Sequence, residues 1–353
     1  MQKYKKNLIA FSFIGLLGIT SILKLIPQFI ETYYSNGIYI GISKLMRFAF
    51  GWLPFSVGDL LYTIAAIYIL RWLWKNRKRM IKDTKHWALD LLTAFSIGYF
   101  AFHILWAFNY YRQPLYKSLD ISPEYSTEQL IEVTKQLIDK ANTAHALIQP
   151  IDSIKVDIPY SKTEILKKVP NGYSNLKHKF PQLNYQPSSI KTSIYSLALT
   201  YMGYSGYLNP FTNEAQIDGL IPKFKFPTTA SHEVAHQLGF AAENEANFIG
   251  ALAAINNEDS YFNYSGYAFI VRQCLFEVYR REPEIYKTLI QTLNKGIRKN
   301  YDEVSAFWSS YENPLEPLFK TTYDAFLKTN NQAGGIKSYS YVVALYVNYF
   351  DKS

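Results

Sequence analysis

Cysteine is almost absent from this chain of 353 residues, since Cys274 is the only one. A lone thiol cannot form an intramolecular disulfide and has no cysteine partner for a metal site, so cysteine usage does not reveal the redox compartment. Acidic residues are scarce in one region only. Residues 1–112 contain 14 Lys and Arg but only 4 Asp and Glu. The whole chain has 37 Lys and Arg and 28 Asp and Glu, so the remaining residues contain 23 basic and 24 acidic side chains.

The formal net charge of +9 therefore comes entirely from the first third of the chain. Basic residues beside apolar segments are typical of proteins that meet the anionic inner face of a membrane. The lipid bilayer is thus an expected partner, and we expect no nucleic acid partner despite a pI near 9.2. The aromatic content of 17% also favours contact with lipid.

Three segments of this region are apolar and long enough to be transmembrane helices, at about residues 7–26, 58–74 and 90–111. A cleavable signal peptide is the alternative for the first segment, but no small-residue cleavage site follows it. Residues 38–55 are apolar but broken by charges and a proline. They are predicted to form an interfacial or re-entrant helix rather than a fourth span.

Basic residues cluster between the second and third predicted spans, where residues 75–85 hold six Lys and Arg against one Asp. By the positive-inside rule this loop and the N-terminus are cytoplasmic. Three crossings then place residues 113–353 on the periplasmic side of the inner membrane, with residues 1–112 as their anchor. If residues 38–55 also crossed, the large domain would change sides.

The large domain has the pattern of a soluble protein. Ser126 with Gln129 predicts a capping box at the start of a helix. Residues 150–189 are rich in Pro, Tyr and Ser and are predicted to be mostly irregular. Turn signals in residues 204–220 predict strands and a hairpin, and the chain after Phe226 is predicted to be helical almost to its end. The predicted fold class is α+β, mainly helical with a small sheet.

Residues 232–236 read His-Glu-Val-Ala-His. On a helix, His232 and His236 lie on one face and can bind the same Zn²⁺, while Glu233 beside them can take a proton from water. Pro227, followed by two threonines, provides a start for this helix about one turn earlier. The pattern predicts a zinc site with Glu233 as the catalytic general base.

The sequence after this motif supplies a third ligand. Gly239 is suited to ending the helix, and a second helix from about Ala241 would present Glu243 toward the histidines. Glu245 is the alternative ligand. Of Glu243 and Asn247, one residue is expected to bind metal and the other to hydrogen-bond a ligand imidazole. Three protein ligands leave one position open for water, which is typical of a catalytic zinc site.

Two further elements are candidates for the site. Residues 209–217 are predicted to be an edge strand that pairs with extended substrate, although an ordinary hairpin is an equal alternative. Tyr339 could bring a phenol that stabilises an oxyanion, but a packing role is favoured because the chain has 30 tyrosines.

These residues resemble the gluzincin metallopeptidases, in which an HExxH motif is followed by ExxxD. The resemblance implies a zincin-like catalytic domain with His232, His236 and Glu243 as zinc ligands and Glu233 as general base. Asn247 stands at the aspartate position, where it lacks the negative charge of the family's residue. Three N-terminal spans followed by HExAHQxGF and ExEANF also resemble an uncharacterised bacterial family, domain of unknown function 3810.

The expected function is that of a membrane-anchored zinc metallopeptidase acting on peptides or proteins of the cell envelope. Peptide hydrolysis is preferred because this motif is most common among peptidases, which is an argument by association. Two alternatives remain open. The zinc site could stabilise a catalytically silent envelope scaffold or chaperone, or the protein could be a zinc amidase for a non-peptide envelope polymer.

Overall fold

Long apolar helices form the first third of the chain in a computed structural model that describes residues 2–335 and 341–351. Three segments are long and apolar enough to cross a membrane, which confirms the three predicted apolar helices: Lys5–Leu23, Val57–Asn76 and Thr84–Leu105. The helices of this region are α1 (Gln2–Leu23), α2 (Pro27–Phe29), a π-helical stretch (Ile30–Ile38), α3 (Tyr39–Phe50), α4 (Val57–Asn76), α5 (Arg79–Lys82) and α6 (Thr84–Leu105).

The third apolar helix, α6, ends at Leu105. The predicted span continued to Tyr111, so the helix is shorter at this end than predicted. Residues Ala107–Tyr111 form a 3₁₀ turn whose two tyrosines are buried. The chain changes direction at Trp106, whose indole N–H donates to the carbonyl of His236 at 3.0 Å. The end of the predicted span is therefore part of the contact with the large domain.

The broken apolar segment before the second span folds as the helix α3, which continues the helical turns of Pro27–Phe29 and Ile30–Ile38 without a break. It is not among the described helices that are long and apolar enough to cross a membrane. Its side chains Tyr39, Ser43 and Arg47 are spaced four residues apart and are all buried. Because this spacing places them on one helical face, α3 lies with that face against the large domain.

The rest of the chain forms a mainly helical domain. The capping box of Ser126 and Gln129 is present at the start of α8, as predicted, and the apolar face of α8 is buried against α13. The helices of this domain are α7 (Leu115–Ser118), α8 (Thr127–Ile148), α9 (Lys162–Leu176), α10 (Ser196–Met202), α11 (Phe226–Gln237), α12 (Glu243–Ile255), α13 (Ser260–Arg281), α14 (Pro283–Thr292), α15 (Lys295–Ser309), α16 (Glu316–Thr329) and α17 (Val342–Phe350), with 3₁₀ turns at Pro181–Leu183 and Lys223–Lys225.

Residues 150–189 are less irregular than predicted, because they contain the 15-residue helix α9. Ser161 and Glu164 form a capping box at its start, and Pro170 lies inside it. The fully buried Ile165 and Val169 show why the helix persists: its apolar residues recur at helical spacing and pack in the core. The proline and the polar composition concealed this face.

The sheet has three strands in the order β1 (Ile190–Thr192), β3 (Glu214–Ile217), β2 (Gly206–Asn209). β1 is parallel to β3, and β2 is antiparallel to it, which confirms the predicted hairpin. The predicted substrate-pairing edge at residues 209–217 is wrong, because β3 is paired on both sides. The edge strand next to α11 is β2.

Buried hydrogen bonds join the membrane helices to the large domain. Lys191 Nζ lies 2.6 Å from Glu214 Oε1, and Glu214 also accepts from the backbone N–H groups of Val57 and Gly58 at the start of α4. Arg112, which follows α6, pairs with Glu31 at 2.6 Å and donates to the carbonyl of Gly239. The start of α4 and the segment after α6 are thus held in fixed positions beside α11.

Candidate metal centre

The helix α11 carries the histidine motif on a buried, fixed element. Pro227 lies in its first turn, as predicted. At its other end, Gln237 is fully buried, where its amide donates to the carbonyls of Ser189 and Asn213 and accepts from the Tyr185 hydroxyl. Because every polar group of Gln237 has a partner, the end of the helix cannot rotate without losing buried hydrogen bonds.

The chain then turns back through Gly239, which has φ of +89°. A side chain there would be strained, and its Cβ would lie 2.8 Å from Asn109 Oδ1. The next helix, α12, begins at Glu243 and passes close to α11 at Gly250, where a Cβ would lie 2.6 Å from the backbone nitrogen of His232. Two glycines therefore bring the Glu243 turn against the histidine turn.

The predicted ligand side chains converge at this point. Glu243 Oε2 lies 3.3 Å from His232 Nε2 and 3.6 Å from His236 Nε2, and it makes a hydrogen bond to neither. Candidate ligand atoms of His232, Glu233 and His236 lie within 4.8 Å of one another. Both Glu233 and Glu243 therefore lie close to the two imidazoles, and the Glu243 oxygen faces both Nε2 atoms at 3.3 and 3.6 Å.

These separations suit a tetrahedral zinc ion. Bonds of about 2.0–2.1 Å at tetrahedral angles put neighbouring ligand atoms about 3.3 Å apart. His236 Nδ1 lies 2.7 Å from the carbonyl of Phe240, which must accept, so Nδ1 carries the proton. A neutral His236 would then turn the lone pair of Nε2 toward the Glu243 carboxylate, an arrangement that a cation between the two would stabilise. The donor set therefore fits zinc.

The charges of the cluster agree with this interpretation. Burial alone would lower the pKa of His236, but the carboxylates of Glu243 and Glu233 and the Phe240 carbonyl raise it to about 9. Burial works to raise the pKa of Glu243, yet the two histidines hold it well below its ordinary value. The fold thus stabilises positive charge between the imidazoles and this carboxylate.

Glu233 lies beside the cluster as a carboxylate with a free oxygen. It is buried, and its Oε2 has no hydrogen-bond partner among the described residues. Burial raises its pKa, the two histidines oppose that rise, and Glu243 adds to it. Gly206 of β2 leaves room for this side chain, because a Cβ there would lie 2.8 Å from Glu233 Oε1. The edge strand therefore runs directly past the carboxylate.

The other two residues of the second motif, Glu245 and Asn247, make no hydrogen bond to either imidazole among the described residues. Glu245 Oε1 accepts from the backbone N–H of Leu115 at 2.6 Å, so its carboxylate caps the start of α7. Burial raises the pKa of Glu245 to about 7, opposed by Arg112. Asn247 lines the cavity, but the Nδ1 partner of His236 is the Phe240 carbonyl, and His232 Nδ1 has no partner in the described chain. The predicted hydrogen bond from Asn247 to a ligand imidazole is absent.

The cluster opens into a cavity of about 930 Å³. Its walls come from α11, α12, the edge strand β2 and α16, and also from the apolar helices α4 and α6. The residues that line the cavity include His232, Glu233, His236, Glu243 and Asn247. A substrate could therefore reach both Glu233 and the imidazoles from this space.

A family model described as "Protein of unknown function (DUF3810)" matches residues 34–347. The chain belongs to the DUF3810 family. The matched part of this DUF3810 protein includes α4, α6 and every residue of the cluster. Searches of curated proteins and of solved structures found no match.

One residue of the site in this DUF3810 protein was not predicted. Tyr323, on α16, donates its hydroxyl to Glu243 Oε1 at 2.5 Å and lines the cavity. It is 80 residues from Glu243 along the chain, and no local pattern distinguishes it from the other tyrosines. Tyr339, the phenol singled out from the sequence, lies outside the described residues.

Proposed function

We propose that this membrane protein is a zinc-dependent metallopeptidase with His232, His236 and Glu243 as zinc ligands. The observation that carries the proposal is the convergence of Glu243 Oε2 on both Nε2 atoms at 3.3 and 3.6 Å, beside a buried carboxylate with a free oxygen. The resemblance to gluzincins agrees with this assignment, and Asn247 is the departure from their pattern.

Zinc in such a site supplies Lewis-acid chemistry, which polarises a carbonyl and makes water a nucleophile at neutral pH. Glu233 takes the proton from the attacking water at Oε2 and later delivers it to the leaving amine. Burial raises the pKa of Glu233, which is the direction that suits a carboxylate that must hold the proton between the two steps. The Tyr323 hydroxyl holds Glu243 in place by occupying its other oxygen.

The edge strand favours a peptide over another amide. Gly206, Tyr207 and Leu208 of β2 line the cavity, and β2 is paired only with β3 among the described strands. An extended peptide can add to such an edge through main-chain hydrogen bonds, which a non-peptide polymer cannot match. Substrates are then peptides or proteins of the cell envelope, reached from the periplasmic side of the inner membrane.

The test compares three variants of the full-length protein in detergent, supplied with one equivalent of Zn²⁺ and a library of quenched fluorescent peptides. Glu233→Gln should keep zinc and lose about 10²–10⁴-fold in turnover, because the proton acceptor is gone. His232→Ala should lose zinc itself. Glu284→Gln, on a side chain that is 83% exposed, is the matched control and should behave as wild type.

Full activity of Glu233→Gln, or the absence of zinc from the wild-type protein after loading, would contradict the proposal. A Glu233→Gln protein that supports growth of a deletion strain when His232→Ala does not would favour a zinc-stabilised scaffold. Cleavage products that lack a new peptide N-terminus would favour an amidase instead.

A further inference from the structure

The cavity at the candidate metal centre extends along helices that can cross a membrane. Five of its lining residues form what we term the membrane arm: Tyr62 on α4 and Phe95, Gly98, Tyr99 and Phe102 on α6. With a rise of about 1.5 Å per residue, Phe95 lies about 15 Å along α6 from its end at Leu105. That depth is about half of a hydrocarbon core about 30 Å thick.

The opposite part of the cavity is polar. It is lined by Lys225, Thr228 and Gln273. Lys225 Nζ donates to Ser205 Oγ at 3.0 Å, and burial lowers its pKa to about 8. This end lies away from the end of α6, because Thr228 is about two turns along α11 from His236, whose carbonyl is bound by Trp106 just after α6.

The helix α11 therefore runs from the polar end of the cavity to the membrane arm, and it carries the zinc ligands between them. A molecule that fills the cavity must be polar at one end and apolar at the other. A short soluble peptide would leave the membrane arm unfilled, since the arm is mostly aromatic surface and its only side-chain hydrogen-bonding groups are the hydroxyls of Tyr62 and Tyr99.

We propose that the substrate is a peptide joined to an apolar chain, which stays in the outer half of the bilayer and enters the membrane arm. This inference rests on the proposed peptidase function and names the substrate class of that site. The apolar chain gains little by moving from lipid to an apolar cavity, so its benefit is a high local concentration of the peptide at the zinc ligands. Either a fatty acyl group or a run of apolar residues provides this chemistry.

Gly98 allows the membrane arm to be filled selectively. A Cβ on Gly98 would have no heavy atom within 4 Å, so a larger side chain there begins in open space on the wall of the cavity. Gly98→Trp therefore occupies the arm. Gly18→Trp is the matched control, because Gly18 is an exposed residue of α1 with equally open surroundings and lies in the corresponding half of its helix.

The experiment measures binding rather than turnover, so that it does not depend on peptidase activity. Full-length Glu233→Gln protein in lipid vesicles is mixed with a peptide whose N-terminal acyl chain carries a diazirine. A second arm uses a peptide with a photoreactive leucine in a run of leucines. Light should attach one or both probes to membrane-arm residues, and Gly98→Trp should reduce that yield about tenfold while Gly18→Trp leaves it unchanged.

The attachment sites decide the outcome. Ile97 and Phe100 lie on the same helix but outside the cavity and are 57% and 39% exposed, so they report simple contact from lipid. Attachment only there, attachment insensitive to Gly98→Trp, or no attachment by either probe would overturn the inference. Because Glu233→Gln is inactive by design, these results are independent of the hydrolysis test, which alone decides whether the protein is a peptidase.

Discussion

Tyr323 holds one oxygen of Glu243 while the other oxygen faces the two imidazoles. Replacing Tyr323 with Phe removes this donor and allows the carboxylate to rotate away. Loss of such a hydrogen bond to a metal ligand typically costs 10–100-fold in metal affinity or activity, so we expect Tyr323→Phe to weaken zinc binding by about that factor. Competition with a chelator of known affinity measures the change.

The neighbouring Tyr204 provides a control of the same chemistry. Its ring centroid lies 5.2 Å from that of Tyr323, and among the described residues its hydroxyl donates to the Phe319 carbonyl alone, at 3.3 Å. Tyr204→Phe therefore alters the packing around Tyr323 without touching Glu243. If both variants bind zinc equally tightly, the Tyr323 hydroxyl does not position the ligand.

At this scale the sequence predicted the residues that are close along the chain. His232, Glu233 and His236 could be identified because a helix fixes their relative positions, and Glu243 because a single turn separates it from them. Glu245 could be set aside only after its capping of α7 was visible. Tyr323 could not be predicted, because its approach to Glu243 depends on tertiary packing of α16.

The contact between α11 and α12 determines where Glu243 sits relative to the histidines. Gly250→Ala would place a Cβ 2.6 Å from the backbone nitrogen of His232 and 2.8 Å from its Cα, so the two helices must separate. Alanine favours a helix by about 1 kcal/mol over glycine, but overpacking against backbone costs about 1–3 kcal/mol. We expect a lower melting temperature in detergent and weaker zinc binding.

Gly41→Ala is the control for this helix packing. Gly41 also lies inside a helix, α3, and a Cβ there would meet nothing within 4 Å. Its replacement should leave stability unchanged or raise it slightly, through helix propensity alone. Equal melting temperatures and zinc affinities for the two variants would show that α11 and α12 tolerate separation.

Elements with local signals were predicted well, and elements with conflicting signals were not. Ser126 with Gln129 marked the start of α8, whereas α9 was missed despite its own capping box because prolines and tyrosines surround it. The hairpin was visible from its turn residues. Which strand forms the edge depends on the partner β1, whose pairing with β3 leaves no mark in the hairpin itself.

At the scale of the whole molecule, the long apolar helices α4 and α6 line part of the candidate site rather than standing apart from it. Trp106 binds the carbonyl of His236, and the Tyr39 hydroxyl donates to the carbonyl of Gln237 at 2.9 Å. The residues of these two hydrogen bonds lie 130 and 198 positions apart in sequence. The composition of the chain could therefore predict the apolar helices, but it could not predict their contacts with α11. The apolar wall of the cavity follows from these contacts.

The packing of the membrane helices suits three crossings. Lys6 near the start of α1 forms an ion pair with Asp90 near the start of α6, so these two helices begin at the same face of the membrane. The basic segment between α4 and α6 adjoins that face, and by the positive-inside rule we expect it to be cytoplasmic. With only α1, α4 and α6 long and apolar enough to cross among the described residues, we expect the candidate metal centre, beside the start of α4 and the end of α6, to face the periplasm.

Cysteine labelling tests this orientation. The native Cys274 is fully buried, and burial raises its pKa to about 12, so it reacts little with maleimide. Lys287→Cys, at a side chain 68% exposed on the large domain, should be labelled by a membrane-impermeant maleimide on intact spheroplasts. Lys78→Cys, in the basic segment, should react only after permeabilisation. The opposite pattern would place the centre in the cytoplasm and exclude envelope peptides as substrates, because a cytoplasmic site cannot reach them.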